Sequence, residues 1–404
     1  LSGNNTYTGA TTVNAGTLQI GAGGATGALS ASSAITNNGT LTFNRTDTVT
    51  QGTQFASVIA GTGNLTQAGT GTLILSGNNA YTGATRINAG TLQIGAGGAA
   101  GALSASSAIT NNGTLTFNRT DTVTQGTHFA SVIAGTGNLI QAGSGVLTLS
   151  GNNTYTGTTT IINGGADYSA GNQLRLSNAS GPAILGNVTI GNNSGTNAGA
   201  MLVTTQNNQL GSSSVITINN TSSGFGYFEL RGTAQTIAGL SGAASARTVV
   251  QNQESGTLAS AATLTINNTN NFTYGGMIRD KYFGSVAPLS IIKNGSGTQT
   301  FSGNNSYTGM TTINAGTLSL GGSSNSTIGG SVTIAGGELN YSSVTDDQIA
   351  NTANITMSSG ALTMGSRTET INSMALSGGN ITIGSGTLSL AAASSFTGGN
   401  VSMT

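Results

Sequence analysis

The sequence has no cysteine, and that absence removes disulfides, thiolate metal sites and thiol nucleophiles together. Charge is nearly as scarce. Asp, Glu, Lys and Arg make up 5% of the 404 residues, ten acidic against ten basic. No basic stripe is left to neutralise phosphates, so nucleic acid is a poor match as a partner. No apolar run approaches the roughly 20 residues that a membrane-spanning helix needs, which argues against membrane insertion by this segment. Aromatic residues are 5% and histidine occurs once. Low charge with few aromatics would suit a disordered tract, but here apolar and polar residues alternate, which disordered polar segments do not do.

What is present is glycine, 65 residues of it, with Thr, Ser and Asn on a framework of Val, Ile and Leu. The pattern that orders them is internal copying. Residues 1–74 return as residues 75–148 with nine substitutions, and a third copy starts at Leu149 before drifting. A unit copied this faithfully suits a spacer or platform better than a catalytic pocket. Leu1 has the same phase as Leu75 and Leu149, so the chain is expected to begin inside a repeat and to be a fragment of a longer one. A missing leader therefore carries little weight.

Within each copy Gly-x-Leu recurs at Leu18, Leu41 and Leu65, then at Leu92, Leu115 and Leu139, with steps of 23, 24 and 27 residues. The mark returns at Leu318, Leu339, Leu362 and Leu388, with steps of 21, 23 and 26. Thr17-Leu18-Gln19-Ile20 and Thr40-Leu41-Thr42-Phe43 place apolar side chains on one face, the period of a half-buried strand. The bends between such strands, as in Asn14-Ala15-Gly16 and Asn37-Asn38-Gly39, use the residues that tolerate positive φ. Strands and bends without helical periodicity predict an all-β fold, a right-handed parallel β-helix (solenoid) of about 23–27 residues per coil, with three coils per 74-residue repeat. An antiparallel sandwich or propeller is the competing architecture. It is disfavoured because matched strands flanking two-residue hairpin turns are missing. The expected organisation is one continuous solenoid, with near-identical repeats over 1–148, diverged coils with longer loops over 149–300, and regular coils again over 301–404.

The stretch from Gly61-Thr62-Gly63-Asn64-Leu65 through Leu75-Ser76-Gly77-Asn78-Asn79-Ala80-Tyr81-Thr82-Gly83 to Asn88-Ala89-Gly90-Thr91-Leu92 closely resembles the autotransporter-associated β-strand repeat, also called the passenger-associated transport repeat. Related copies run from Leu1 to Ile20, Gly135 to Ile162 and Ile292 to Leu318. The resemblance implies a passenger segment of a type V secreted protein, displayed on the surface of a Gram-negative bacterium or released from it. Such passengers usually serve adhesion or act as stalks, so the implied role is a non-enzymatic structural rod.

Candidate sites are few. His128 stands where the first copy has Gln54, so a proton-transfer role shared by both copies is disfavoured and a surface polar residue expected. Arg45 and Asp47, recurring as Arg119 and Asp121, read as a solvated ion pair of little energetic weight. Asp346-Asp347 is the only adjacent acidic pair, and a glycosidase would need two carboxylates across a cleft. No Gly-Gly-x-Gly-x-Asp calcium repeat or phosphate-binding loop occurs, so no catalytic residue, metal or cofactor is assigned. Tyr7, Tyr81, Tyr155 and Tyr307 are expected to pack turns rather than to form a sugar platform.

The contact loop is placed in the irregular middle, residues 163–290, at Arg279, Lys281, Tyr282 and Phe283. There the segment from Ile278 to Ile291 is seven residues longer than Ile59 to Leu65, and loops on rigid scaffolds commonly carry recognition. Its ligand on a cell surface or in a matrix is not specified by the sequence. Two rival classes stand beside the rod: a filament or sheath subunit associating side by side or end to end, and a carbohydrate-active β-helix enzyme with an acid-lined groove.

Overall fold

The computed structural model describes all residues except 32–33, 56–57, 105, 131, 163–172, 192–198, 220–223, 254–259, 282–286, 323–327, 343–344 and 404. Among the described residues there are strands and no helix, hence no helix long and apolar enough to cross a membrane. The chain divides into two compact units, Leu1–Val188 and Thr189–Thr404. Each is a right-handed parallel β-helix, the hand that parallel crossovers adopt.

In the first unit the first copy forms β1 (Thr11–Val13), β2 (Thr17–Gly24), β3 (Ile35–Asn37), β4 (Thr40–Arg45), β5 (Thr48–Thr50), β6 (Ile59–Ala60), β7 (Asn64–Gln67) and β8 (Thr72–Leu75). The second forms β9 (Thr85–Ile87), β10 (Thr91–Gly98), β11 (Ile109–Asn111), β12 (Thr114–Arg119), β13 (Val123–Thr124), β14 (Ile133–Ala134), β15 (Asn138–Gln141) and β16 (Val146–Leu149). β17 (Thr159–Ile161) and β18 (Gln173–Leu176) follow.

These strands fall on three faces. β1, β3 and β6 pair in parallel on the first, β2, β4 and β7 on the second, and β5 and β8 on the third. The bends at the corners are tight. A Cβ at Gly71 would lie 2.0 Å from the Asp47 carbonyl oxygen of the coil before it, so only glycine lets these backbones stack.

Two of the three leucine steps are coils, because Leu18 pairs with Leu41 and Leu41 with Leu65. The third step is not. Leu65 lies opposite Thr85, while Leu92 lies opposite Leu73. The coil between them closes in only 19 or 20 residues, and β9 settles on the second face, beside β7 and β11. The third copy repeats the step, with β17 beside β15 and β12 on the third face.

The parallel β-helix with three coils per repeat is as expected, and two of the coils have the expected length; the third is shorter than the expected 23–27 residues, at 19 or 20. Each copy makes three coils, the last one compact, and then advances by one further face. The leucine spacing conceals this, since Leu92 is an inward position on whichever face it lies. Leu73, Leu92, Leu115 and Leu139 form one buried column through both copies, each side chain contributing about 2 kcal/mol of burial. Later, Leu318 pairs with Leu339 and Leu339 with Leu362, but Leu362 lies opposite Ile381 and Leu388 opposite Glu369.

In the second unit the strands Ala200–Thr204, Gly226–Glu229, Gly239–Gln253 and Phe272–Lys281 stack in parallel. Here both faces of the sheet are covered, with every residue of Ala200–Thr204 and Gly226–Glu229 buried. Leu202, Phe228, Val250 and Ile278 form one fully buried column. Val203, Glu229, Gln251 and Arg279 form the adjacent one.

Candidate functional site

The compact coil is built by one small set of side chains that recurs wherever Ser-Gly-Asn-Asn-x-Tyr-Thr-Gly occurs with preceding coils in place. From Ser76 to Gly83 the chain crosses the first face without a regular strand. The Ala80 N–H donates to the Ile59 carbonyl at 2.9 Å and the Thr82 N–H to the Gly61 carbonyl at 3.0 Å. Asn79 is buried, and its Oδ1 accepts from the Ile59 N–H at 2.9 Å and from Gln51 Nε2 at 2.7 Å. The amide thus supplies the strand-edge acceptor that the irregular crossing cannot. Tyr81 turns its ring into the core, fully buried, and shares a 2.7 Å hydrogen bond with the Thr85 hydroxyl.

Asn153, Tyr155 and Thr159 repeat every one of these contacts, at 2.9 Å to the Ile133 N–H and 2.6 Å between hydroxyls. Asn305, Tyr307 and Thr311 repeat the asparagine and tyrosine contacts, at 2.7 Å to the Ile278 N–H and 2.7 Å between hydroxyls, while the Thr308 N–H donates to Asp280 Oδ2 at 2.9 Å rather than to a backbone carbonyl. Burial pushes the phenols of Tyr81, Tyr155 and Tyr307 well above their ordinary range. These tyrosines pack the coil, whereas Tyr7 is 40% exposed.

The other sequence-singled residues are also turned toward structure. Arg45 is buried and does not form the solvated pair expected of it. Its Nε and Nη2 grip Asp47 at 2.8 and 2.5 Å, Nη2 also donates to the Ala25 carbonyl at 2.7 Å, and Nη1 donates to the Gly27 carbonyl. The guanidinium clamps the glycine-rich bend of the preceding coil and holds the Asp47 carboxyl below its ordinary range. Arg119 and Asp121 repeat the clamp on Ala99 and Gly101.

His128 Nδ1 accepts the Thr124 N–H at 3.1 Å, as Gln54 Oε1 accepts the Thr50 N–H at 2.7 Å. The two side chains interchange because both offer an acceptor at one place. Asp346 and Asp347 cap backbone N–H groups of Thr368 and Thr370. Among the described residues no group of three or more His, Cys, Asp or Glu is placed to hold a metal.

Two buried ionisable groups escaped the sequence analysis. Lys293 is fully buried where Gln67 and Gln141 stand in the earlier copies. Those glutamines donate to Gly69 and Gly71, and to Gly143 and Gly145. The Lys293 ammonium donates to the carbonyls of Asn294, Gly295 and Ala315 at 2.7, 2.8 and 3.1 Å, while desolvation pulls its pKa down to about 8. Glu369 is buried, and its Oε2 accepts from the Tyr341 hydroxyl and the N–H groups of Gln348 and Ile349. Desolvation carries its pKa up to about 7 against those hydrogen bonds. Alignment with Gln67 would have flagged Lys293; nothing local marks Glu369.

Of the expected contact loop, Arg279 lies in the strand Phe272–Lys281, buried, with Nε donating to Gln251 Oε1 at 2.8 Å. It is not an exposed contact residue, because Glu229, Gln251 and Arg279 form one buried polar column, Gln251 Nε2 donating to Glu229 Oε1 at 2.9 Å. Lys281 is half-buried at the strand end, and Tyr282 and Phe283 lie outside the described residues. Beside that column Met201, Val203, Tyr227 and Val249 form a second apolar cluster with the half-buried Phe225 packed against it. Phe225 stacks on Tyr227 at 5.4 Å, and the Arg247 guanidinium sits 5.3 Å over its ring. This aromatic and cationic grouping, with no counterpart in the copied coils, is the strongest lateral feature described.

A parallel β-helix whose recurring polar side chains are spent on stacking defines a structural repeat protein. The passenger-associated transport repeat matches at residues 1–20, 65–94, 139–166, 291–320 and 382–401, and the middle three matches contain the compact coils just described. The chain therefore carries passenger-associated transport repeats, in five stretches that together cover about a third of it. It is similar to the adhesin BmaC autotransporter of Brucella suis biovar 1 (strain 1330), 33% identical over 222 residues, which cover 41% of this chain and 6% of that protein. No solved structure matches the chain.

Proposed function

We propose that this segment is a non-enzymatic rod on the surface of a Gram-negative bacterium, or secreted by one, acting as the stalk of an adhesive passenger. The observation that carries this reading is the employment of the repeated polar groups. Arg45, Gln51 and Asn79 are buried and bonded to neighbouring coils, and Gln67 is buried and bonded to the bend of its own coil, which leaves the copies to stack rather than to recognise. Support also comes from the name of the adhesin relative, although the matched part is a small share of it.

Recognition is assigned to the second unit, at the segment from Lys281 through Tyr282 and Phe283 and near the Phe225 and Arg247 grouping. The test is surface display of residues 1–404 fused to an outer-membrane barrel in a non-adherent laboratory strain. Binding to epithelial cells or matrix proteins should rise, and Tyr282→Ala with Phe283→Ala should lower it about tenfold at unchanged display. Equal binding by the variant removes this loop as the contact, and no binding by any displayed form removes the adhesive reading.

A further inference from the structure

The copies in the first unit are nearly identical in sequence, yet equivalent strands do not lie on the same face. β1 sits beside β3 on the first face, β9 beside β7 and β11 on the second, and β17 beside β15 on the third. We propose that the 74-residue copy is an angular unit as well as an axial one, each whole copy re-aiming the coils that follow it by one face of three. Along the axis a copy adds three coils and a third, about 16 Å at the 4.8 Å spacing of paired strands. In rotation it adds about a third of a turn. Three copies would bring an exposed residue back to its first bearing, and one or two would not.

The geometry behind this is the compact coil. If the crossing from Ser76 to Gly83 were omitted, β9 would follow β8 onto the first face beside β6, and the copies would stack in phase. Instead the crossing takes up the first face, Ala80 and Thr82 bonding there to Ile59 and Gly61, Thr85 arrives opposite Leu65, and every later element is displaced by one face. The junction is also conserved under whole-copy loss. Joining Ile74 to Leu149-Ser150-Gly151-Asn152-Asn153 recreates the existing run Ile74-Leu75-Ser76-Gly77-Asn78-Asn79. Copy number can then change without a mismatched seam, and what changes is both the reach and the bearing of groups carried beyond it. This holds whether or not the rod is adhesive.

The absence of cysteine makes engineered pairs unique reporters. In the full chain Thr160 lies opposite Ile140, and Arg86 opposite Thr66. In a chain lacking residues 75–148, Thr160 should take the place of Arg86 opposite Thr66. T66C with T160C should then be joined by a short thiol cross-linker in the shortened chain and not in the full one, where I140C with T160C is joined instead. In-phase copies would place the strand beside β6, so joining of A60C with T160C in the shortened chain overturns the proposal. A shortened chain that loses its β-sheet circular dichroism overturns the interchangeability of copies. The face advance itself is then decided in the full chain, where T66C with R86C must be joined and A60C with R86C must not.

Discussion

Asn79 and Tyr81 show how much of this fold rests on single polar groups inside a nearly uncharged chain. Asn79 provides the acceptor for a buried Ile59 N–H, so Asn79→Ala leaves that donor unsatisfied and should cost about 2 kcal/mol. Tyr81→Phe removes only the bond to Thr85 and should cost about 1 kcal/mol; denaturant midpoints at constant slope would measure both.

The buried ionisable groups set the pH response. Lys293 has its folded pKa lowered to about 8, so the charged folded form bears a desolvation cost below that pH, relieved as pH rises from about 8 past 10. Lys293→Gln, restoring the residue of the earlier copies, should stabilise by about 1–2 kcal/mol at neutral pH and flatten this alkaline rise. Glu369 has its folded pKa raised to about 7. Its contribution is therefore fully present below about pH 4.5 and lost as pH climbs through 7. Glu369→Gln keeps an acceptor for Gln348 and Ile349 and should abolish that decline. Thermal midpoints between pH 5 and 10 should show a shallow minimum near pH 7–8 in the parent and neither slope in the double variant.

At the scale of the element, the compact coil is the least strand-like part of each copy and the one most dependent on side chains. Where a 24-residue coil is held by backbone ladders on three faces, Ser76–Gly83 keeps two backbone bonds to the first face and delegates the rest to Asn79. Asn153→Ala should therefore speed hydrogen exchange at the Ile133 amide, which its Oδ1 accepts, by about tenfold or more. The amides of β12 and β15 should be unaffected if opening is local. Uniform acceleration over both strands would mean instead that the coil governs the stability of its neighbours. The legibility of this element was uneven. Tyr81 as a packing residue followed from the motif, but the shortening to 19–20 residues did not, because periodic leucines report inward positions and not the face they occupy.

For the molecule as a whole, nearest-neighbour coupling is the expected thermodynamic behaviour, since each coil pairs only with the ones above and below it. Within the first unit, removal of residues 75–148 should lower the thermal midpoint by a few degrees without unfolding β1 to β8. Complete loss of structure would mean that both copies fold only as one body. Arg45 marks the limit of sequence reasoning here. Its spacing to Asp47 disclosed the pair, but only the arrival of Ala25 and Gly27 from the preceding coil turned a surface pair into a buried clamp.

The sequence by itself determined the class of fold, the copied coils, the family resemblance and the inward leucines, because strand period, bend residues and repeated motifs are local properties of a chain. The face on which each copy begins, the burial of Arg279 with Gln251, and the shifted ionisation of Lys293 and Glu369 were decided by the tertiary structure alone. These depend on which coil lies above which, and that follows from the face each crossing takes up and the side chains filling it.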